Sequence, residues 1–126
     1  MIKLYKEFGF EAAHRLPSAP HGHPNAQVHG HSFRVRVVAQ GEPDEETGLV
    51  FHFADFEAAL MTVKSRLDHR YLNDIAGLEM PTVERLAMWI WRQLDGLVPG
   101  LREVHVSRPS CGEGATYAPR IDGLPS

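Results

Sequence analysis

Residues 29–40 read HGHSFRVRVVAQ, and in this stretch mostly apolar odd positions alternate with mostly polar even positions. One face carries His29, His31, Phe33, Val35, Val37 and Ala39. The opposite face carries Ser32, Arg34, Arg36 and Gln40. Because successive side chains of a β-strand point to opposite sides, this period of two predicts a strand with one buried face and one face toward water.

Residues 2–14 alternate in the same way, apart from Lys6 on the otherwise apolar face. The segment between the two stretches, residues 16–28, holds three prolines, a glycine and an asparagine, and therefore predicts a long loop. We expect the two strands to pair as a hairpin, with His14 at the end of the first strand near the start of the second.

Two helical patterns follow. In the first, Asp55 is a candidate N-cap, and the apolar residues at helical spacing are Phe56, Leu60, Val63 and Leu67. The second follows Pro81, with Thr82 as its cap and an end near Gly96; its apolar stripe is Val83, Leu86, Ala87, Ile90 and Leu94. Residues 102–108 alternate as a third strand, and residues 115–118 predict a short fourth one.

The order strand, strand, helix, helix, strand, strand predicts an α+β fold, with an antiparallel four-stranded sheet and two helices on one face. The length of 126 residues fits one domain spanning residues 1–126. Such a sheet leaves open edges, so we expect strand pairing between subunits.

Composition argues against a nucleic-acid partner and against a membrane protein. The chain has a formal net charge of −3 and no basic tract, which argues against a nucleic-acid partner. No apolar segment has the length of a membrane span, and the first residues lack the pattern of a signal peptide. A single cysteine, Cys111, cannot form an internal disulfide. We therefore expect a cytoplasmic protein with no membrane or nucleic-acid partner.

Histidine is concentrated at the ends of the predicted hairpin. His29 and His31 leave the same face of one strand, and the hairpin brings His14 toward them. Three neutral imidazoles with one open position are typical of catalytic zinc, so the spacing predicts a Zn2+ site. The alternative is three histidines without a metal. His21 and His23, in the proline-rich loop, are expected to face solvent or the mouth of a pocket.

Two further features suggest acid–base chemistry and ligand binding. Asp68 precedes His69 where the first helical pattern ends, and an aspartate there can orient the imidazole. The alternative is an ordinary charged helix end. Arg108 continues an apolar strand face, where its guanidinium could hold a carboxylate, a phosphate or the carbonyl oxygens of a heterocycle. The alternative there is a surface ion pair.

Five motifs together resemble one family. FEAAHRLP, VHGHSFRV, TGLVFHFADFEAAL, LDHRYLND and PTVERLAMWIW recur in this order in the 6-pyruvoyltetrahydropterin synthase family, especially in its bacterial branch, 6-carboxytetrahydropterin synthase of the queuosine pathway. The resemblance covers residues 4–118. It implies the T-fold, in which strands of several subunits join into a barrel. It also implies a homohexamer, a dimer of trimers, with active sites between subunits.

The resemblance also implies roles for individual residues. It makes His14, His29 and His31 zinc ligands, and Asp68 and His69 two members of a catalytic Cys-Asp-His set. Backbone groups of Thr82 and Val83 would lie near the pterin ring. In family members zinc binds the side-chain hydroxyls of 7,8-dihydroneopterin triphosphate and acidifies neighbouring C–H bonds. Triphosphate is then expelled, and in the bacterial branch a two-carbon aldehyde as well.

Two positions depart from the family pattern. Asn25 stands four residues before His29, where the family has its proton-moving cysteine, and an amide cannot act as a general base. Arg108 stands where the family has a glutamate that accepts hydrogen bonds from the pterin, so donors would face donors. Glu113 lies close by in the sequence and is a candidate substitute. Cys111 is a poor replacement for the missing cysteine.

Three functions are compatible with these residues. The first is a zinc-dependent lyase acting on dihydroneopterin triphosphate or a related pterin, with His69, and His23 as a second candidate, replacing the cysteine. The second is a diverged T-fold enzyme whose different substrate offers an acidic or carbonyl-rich edge to Arg108. The third is a binding or scaffold protein that keeps the pocket without turnover.

Overall fold

The two alternating stretches form the central hairpin of the computed structural model, which describes residues 1–120. Strand β1 (Ile2–His14) pairs antiparallel with β2 (His29–Gly41) along its whole length. In this register Phe10 lies opposite Phe33, and His14 lies opposite His29. The register therefore places the three predicted ligands at one end of the hairpin.

The remaining elements in chain order are α1 (Phe53–Leu67), β3 (Arg70–Tyr71), α2 (Val83–Leu94), β4 (Leu101–Arg108) and β5 (Glu113–Tyr117). Short 3-10 turns occupy Pro24–Ala26, Leu72–Asp74 and Pro109–Cys111. The sheet order is β3-β1-β2-β4-β5, and all neighbours are antiparallel except β3, which runs parallel to β1. The α+β prediction with two helices is confirmed, and the sheet of this single chain is open rather than a closed barrel.

The prediction of four strands is wrong by one. Strand β3 has only two residues, which pair with Ala12 and Ala13 of β1. Two residues carry no detectable periodicity, so this strand has no signature in the sequence. It forms because the chain leaving α1 bonds to β1, with the His69 N–H donating to the Glu11 carbonyl (2.6 Å).

The helix starts differ in how well the sequence predicts them. Helix α1 begins at Phe53 with His52 in the N-cap position, so the prediction of Asp55 as the cap is wrong. Asp55 lies instead in the first turn, where its charge suits the positive end of the helix. The Thr82 cap of α2 is confirmed, since its side chain accepts a hydrogen bond from the Arg85 N–H (3.1 Å).

The core lies between one face of the sheet and the two helices. Phe10 and Phe33 stack across the hairpin, with ring centroids 4.9 Å apart. Helix α1 packs on β1, and α2 packs on β4 and β5. No helix among residues 1–120 is both long and apolar enough to cross a membrane. The histidine end of the hairpin continues this buried face, so the candidate site borders the core.

Candidate functional site

Three histidine side chains converge at the end of the hairpin. His14 is fully buried, and His29 and His31 are partly buried. Each can offer one ring nitrogen such that the three nitrogens lie within 4.8 Å of one another. The Nε2 atoms of His14 and His29 are only 3.0 Å apart. The structure thus brings together the three residues that strand parity selected.

Backbone carbonyls fix the tautomers of two of these rings. The Nδ1–H of His14 donates to the carbonyl of Pro81 (2.9 Å), and the Nδ1–H of His29 donates to that of Gln27 (2.8 Å). A carbonyl can only accept, so both rings carry a proton on Nδ1 and, when neutral, a lone pair on Nε2. Two lone pairs then face each other at 3.0 Å, an arrangement that a shared cation would stabilise.

The surroundings favour the neutral form of His14 and His31. Burial lowers the pKa of His14 to about 4, and the nearby His29, His31 and Arg108 contribute in the same direction. Burial, followed by the charge of Arg108, also lowers the pKa of His31. The neutral form is the one in which a ring nitrogen can bind a metal ion.

The triad also contains an unsatisfied polar atom. The Nε2 of His31 is buried and has no hydrogen-bond partner among residues 1–120. Leaving such an atom without a partner costs free energy. A metal ion bound by all three imidazoles would satisfy this nitrogen and separate the facing lone pairs. The residues present therefore fit a divalent cation with nitrogen ligands, of which zinc is the common example.

A second cluster lies at the start of α2. A cavity of about 290 Å³ is lined by Val83, Glu84, Arg108, Glu113, Gly114 and Ala115. Three of the four predicted substrate-binding residues thus share one cavity. The fourth, Thr82, immediately precedes Val83 and follows Pro81, whose carbonyl holds His14. This connection places the cavity next to the histidine triad.

Arg108 and Glu113 form an ion pair at this cavity. A guanidinium Nη2 of Arg108 lies 2.6 Å from Oε1 of Glu113. The Arg108 side chain is 15% exposed and that of Glu113 is 54% exposed. The Nε of Arg108 is buried without a hydrogen-bond partner in the described chain. The carboxylate therefore lies at the cavity rim, and the guanidinium lies behind it.

Asp68 connects the end of α1 to β1 and to His69. Its Oδ1 accepts from the Glu11 N–H (2.9 Å), and its Oδ2 lies 3.2 Å from Nδ1 of His69. The bond from Glu11, followed by that from His69, lowers the pKa of Asp68, so the carboxylate stays ionised at neutral pH. An ionised partner holds the His69 proton on Nδ1 and leaves Nε2 free.

His69 is held in an unusual backbone conformation. Its φ is 58°, in the left-handed region, and it is the one residue other than glycine with positive φ among residues 1–120. The side chain is 80% exposed. His69 and His31 line one cavity of about 580 Å³, together with Glu11, Ala12, Ala13, Gly30, Ser32, Arg70 and Tyr71. The structure thus places the imidazole of His69 at the histidine end of the hairpin, at a cavity that His31 also lines.

Comparison with known proteins identifies the relatives of this chain. The sequence model of the family described as 6-pyruvoyl tetrahydropterin synthase matches residues 3–120. The chain belongs to this family. It is 43% identical to the 6-carboxy-5,6,7,8-tetrahydropterin synthase of Synechocystis, over 96% of this chain and 97% of that one. The resemblance inferred from the five motifs is confirmed.

Two further proteins that resemble this chain are named for different activities. The dihydroneopterin monophosphate aldolase of Pyrococcus furiosus is 33% identical, over 76% of this chain and 79% of its own. The Caenorhabditis elegans 6-pyruvoyl tetrahydropterin synthase structure superimposes with a TM-score of 0.83 at 24% identity, covering 94% of this chain and 96% of that one. The latter match confirms the T-fold.

Asn25, which the resemblance places at the position of the family's cysteine, is held by hydrogen bonds of its main chain. Asn25 lies in the 3-10 turn Pro24–Ala26 and is partly buried. Its carbonyl accepts from the Leu16 N–H (2.8 Å), and its N–H donates to Nδ1 of His23 (3.1 Å). When neutral, His23 therefore carries its proton on Nε2, so this nitrogen donates a hydrogen bond and offers no lone pair to accept a proton. Cys111 is exposed in the turn Pro109–Cys111.

Several contributors to the site have no clear signal in the sequence. The carbonyls of Gln27 and Pro81 hold two imidazoles, yet any residue type offers a carbonyl, so sequence cannot mark them. Arg70 and Tyr71 line cavities with His69, and the sequence did not predict either residue as part of the site. Only their position directly after His69 indicated that they lie near it.

Proposed function

We propose that this protein is a zinc-dependent carbon–oxygen lyase of the pterin synthase type, acting on 7,8-dihydroneopterin triphosphate or a closely related pterin. The observation that carries this proposal is the convergence of three imidazoles, each able to aim one ring nitrogen at a common point. The name of the Synechocystis relative supports a 6-carboxytetrahydropterin product. By the same similarity, we infer a cytoplasmic role in queuosine biosynthesis.

His14, His29 and His31 would hold the zinc ion. When bound, zinc supplies Lewis-acid polarisation of the side-chain hydroxyls of the substrate. The protein fixes the ligand geometry in advance, since Pro81 and Gln27 accept the Nδ1 protons of two rings. Such outer hydrogen bonds orient metal-binding histidines and increase their basicity.

His69 would move protons at the substrate side chain. Asp68 holds the Nδ1 proton, so the Nε2 lone pair can accept a proton from carbon or oxygen and return it later. The exposed position of the ring gives it access to a ligand in the shared cavity. Because Asn25 cannot act as a base, we assign the proton transfers of the reaction to His69 and not to a thiolate.

Glu113 would anchor the pterin ring. Its carboxylate can accept hydrogen bonds from the amino group and the ring N–H of a pterin, and the paired Arg108 can donate to the neighbouring ring oxygen. The pair thus offers both the acceptor and the donor that an amino-oxo-pyrimidine edge requires. In this arrangement Glu113 replaces the glutamate that Arg108 displaced.

Substitution Glu113→Gln tests the anchor. We expect the dissociation constant of 7,8-dihydroneopterin to rise about 10- to 100-fold, because a charge-assisted hydrogen bond is lost. Ligand fluorescence titration measures the change, and Glu84→Gln, in the same cavity, is the matched control. Equal losses in both variants, or no loss in Glu113→Gln, would contradict the anchor.

A second candidate function is favoured by Arg108. If its guanidinium, rather than Glu113, selects the ligand, the protein binds a heterocycle with an acidic or carbonyl-rich edge and does not catalyse the synthase reaction. In that case Glu113→Gln frees Arg108 and strengthens the binding of an anionic heterocycle. The same variant therefore separates the two functions.

We also infer assembly into a homohexamer, a dimer of trimers, as the family resemblance implies. Strand β5 has one neighbour, and β1 is covered on its outer side only at Ala12 and Ala13. Within residues 1–120, the outer edge of β5 and most of the outer edge of β1 thus lack a neighbouring strand, and pairing between copies would satisfy their backbone groups.

The decisive experiment combines metal analysis with a product assay. Purified protein is analysed for zinc and incubated with dihydroneopterin triphosphate, and products are followed by mass spectrometry. We expect about one zinc per chain and slow release of triphosphate. Asn25→Cys should accelerate turnover at least about tenfold, since a positioned acid–base group contributes rate factors of 10² or more.

Asn25→Ser is the control, because a hydroxyl fills the same space without a comparable acidity. Zinc binding without any product from the wild type or the cysteine variant would overturn the lyase proposal and leave the binding function.

A further inference from the structure

The side-chain amide of Asn73 is bonded to the backbone directly after His14. Strand β3 runs parallel to β1 for two residues and ends at Tyr71. Two positions later, the Oδ1 of Asn73 accepts from the Arg15 N–H (2.9 Å), and its Nδ2 donates to the Arg15 carbonyl (2.7 Å). A side-chain amide offers the same donor and acceptor as a peptide group. Asn73 therefore continues the pairing of β3 with β1 past the end of the strand.

This pairing fixes the backbone on both sides of His14. The residue before it, Ala13, is paired with Tyr71 of β3, and the residue after it, Arg15, is bonded twice to Asn73. With both neighbours held, the direction in which the His14 side chain leaves the strand is fixed. The aim of the imidazole then depends on the rotation of the ring and on the carbonyl that accepts its Nδ1 proton.

Asn73 also contacts the segment that supplies this carbonyl. Its Nδ2 lies 3.4 Å from the carbonyl oxygen of Glu79, two residues before Pro81. Pro81 in turn accepts the Nδ1 proton of His14 at 2.9 Å. One partly buried amide thus links the backbone next to the imidazole to the segment that orients the imidazole.

An amide is the group that these contacts require. The Arg15 N–H needs an acceptor, whereas the carbonyls of Arg15 and Glu79 need a donor. Only the amide side chains combine an acceptor oxygen with an NH₂ group that donates twice. An aspartate at this position would keep the acceptor and place a carboxylate oxygen against two carbonyl oxygens.

We propose that Asn73 is a positioning residue of the histidine triad, which holds His14 in the place and orientation that metal binding requires. The role of the metal rests on the proposed function, whereas the hold on His14 rests on the contacts of Asn73 itself. Asn73 touches none of the three imidazoles and acts through Arg15 and through the segment that leads to Pro81.

Proton exchange in the metal-free protein tests the hold on His14. With isotope-labelled histidine, the exchange rate of the His14 Nδ1 proton with water reports its bond to Pro81. We expect Asn73→Ala to accelerate this exchange about tenfold, the equivalent of one hydrogen bond. Asp44→Ala is the matched control, because it removes two side-chain bonds to backbone N–H groups (2.8 and 3.0 Å) in the turn after β2, at the other end of the hairpin. An unchanged rate in Asn73→Ala, or equal acceleration in both variants, would overturn the proposal.

Zinc affinity, measured by competition with a chromophoric chelator, is the second readout. We expect Asn73→Ala to lower it about tenfold, as loss of a group that orients a metal-binding histidine does. Asp44→Ala should bind zinc like the wild type even where its melting temperature falls as far. If Asn73→Ala does not fold, Asn73→Asp replaces it and should also weaken zinc binding, since it keeps the acceptor for the Arg15 N–H and loses both donors.

The two readouts separate this inference from the proposed function. Wild-type zinc affinity in a folded Asn73 variant would refute the positioning role and leave the metal site intact. A wild-type protein that binds no zinc would overturn the proposed function, and the exchange rate of the His14 proton would still decide whether Asn73 holds the imidazole.

Discussion

Replacement of His31 by alanine is expected to abolish stoichiometric zinc binding. The Nε2 of His31 is buried and unpartnered, and together with His14 and His29 it completes the three-nitrogen site. Removing a group that hydrogen-bonds to a metal-binding histidine already lowers metal affinity about 10- to 100-fold. Removing one of the three histidines should therefore lower zinc affinity at least about 100-fold. Competition with a chromophoric chelator, together with elemental analysis, measures this loss.

Thermal melting supplies an independent readout of the same substitution. Zinc binds the folded chain, so at a thousandfold excess over its dissociation constant it should stabilise the wild type by about 4 kcal/mol. The His31→Ala variant should show almost no such shift. His21→Ala removes an exposed loop histidine and is the control, expected to bind and respond like the wild type. One tightly bound zinc in His31→Ala would contradict the triad as the metal site.

The sequence predicted the convergence of the three histidines from two simple rules, strand parity and hairpin pairing. Strand parity places His29 and His31 on the same face, and a hairpin register brings His14 opposite His29. The Thr82 cap was predictable for the same reason, since a cap depends on neighbours a few residues away. Features determined by local periodicity and local hydrogen bonds were therefore within reach of the sequence.

Features that depend on tertiary contacts could not be predicted from the sequence. Strand β3 exists because His69 bonds to Glu11, which is distant in the sequence. Helix α1 starts at Phe53, three residues before the start that an Asp55 cap predicts, with His52 in the N-cap position. Such boundaries are set by the fold as a whole, and local preference is only a weak guide to them.

The ion pair of Arg108 and Glu113 is a third feature that the sequence could not predict. The sequence presented them as competitors for one role, because the loop between them has no fixed length relative to the family. The structure pairs them across the β4–β5 register, where Arg108 lies opposite Glu113. The strand register therefore makes the two residues neighbours rather than alternatives. The guanidinium of Arg108 is a donor and the carboxylate of Glu113 is an acceptor, and both lie at one cavity.

Substitution His69→Asn is expected to lower kcat by 10²- to 10⁴-fold, the usual contribution of a positioned acid–base group. Asparagine is the appropriate replacement because φ at this position is 58°. Asparagine tolerates the left-handed region better than most residues, so the backbone stays in place. The amide removes the titrating imidazole, and the zinc content and the melting temperature should remain those of the wild type.

His69→Ala is the informative comparison, because it removes the same imidazole and adds backbone strain of order 1 kcal/mol or more. It should therefore lose activity like His69→Asn and melt at a lower temperature. Asp68→Asn should retain more activity than either variant, with a shifted pH profile, since it releases the Nδ1 proton but keeps the ring. Because Asp68 also holds β1 through Glu11, this variant should lose stability as well. Near-wild-type kcat in His69→Asn would assign proton transfer to another group and leave His69 as a structural link between α1 and β3.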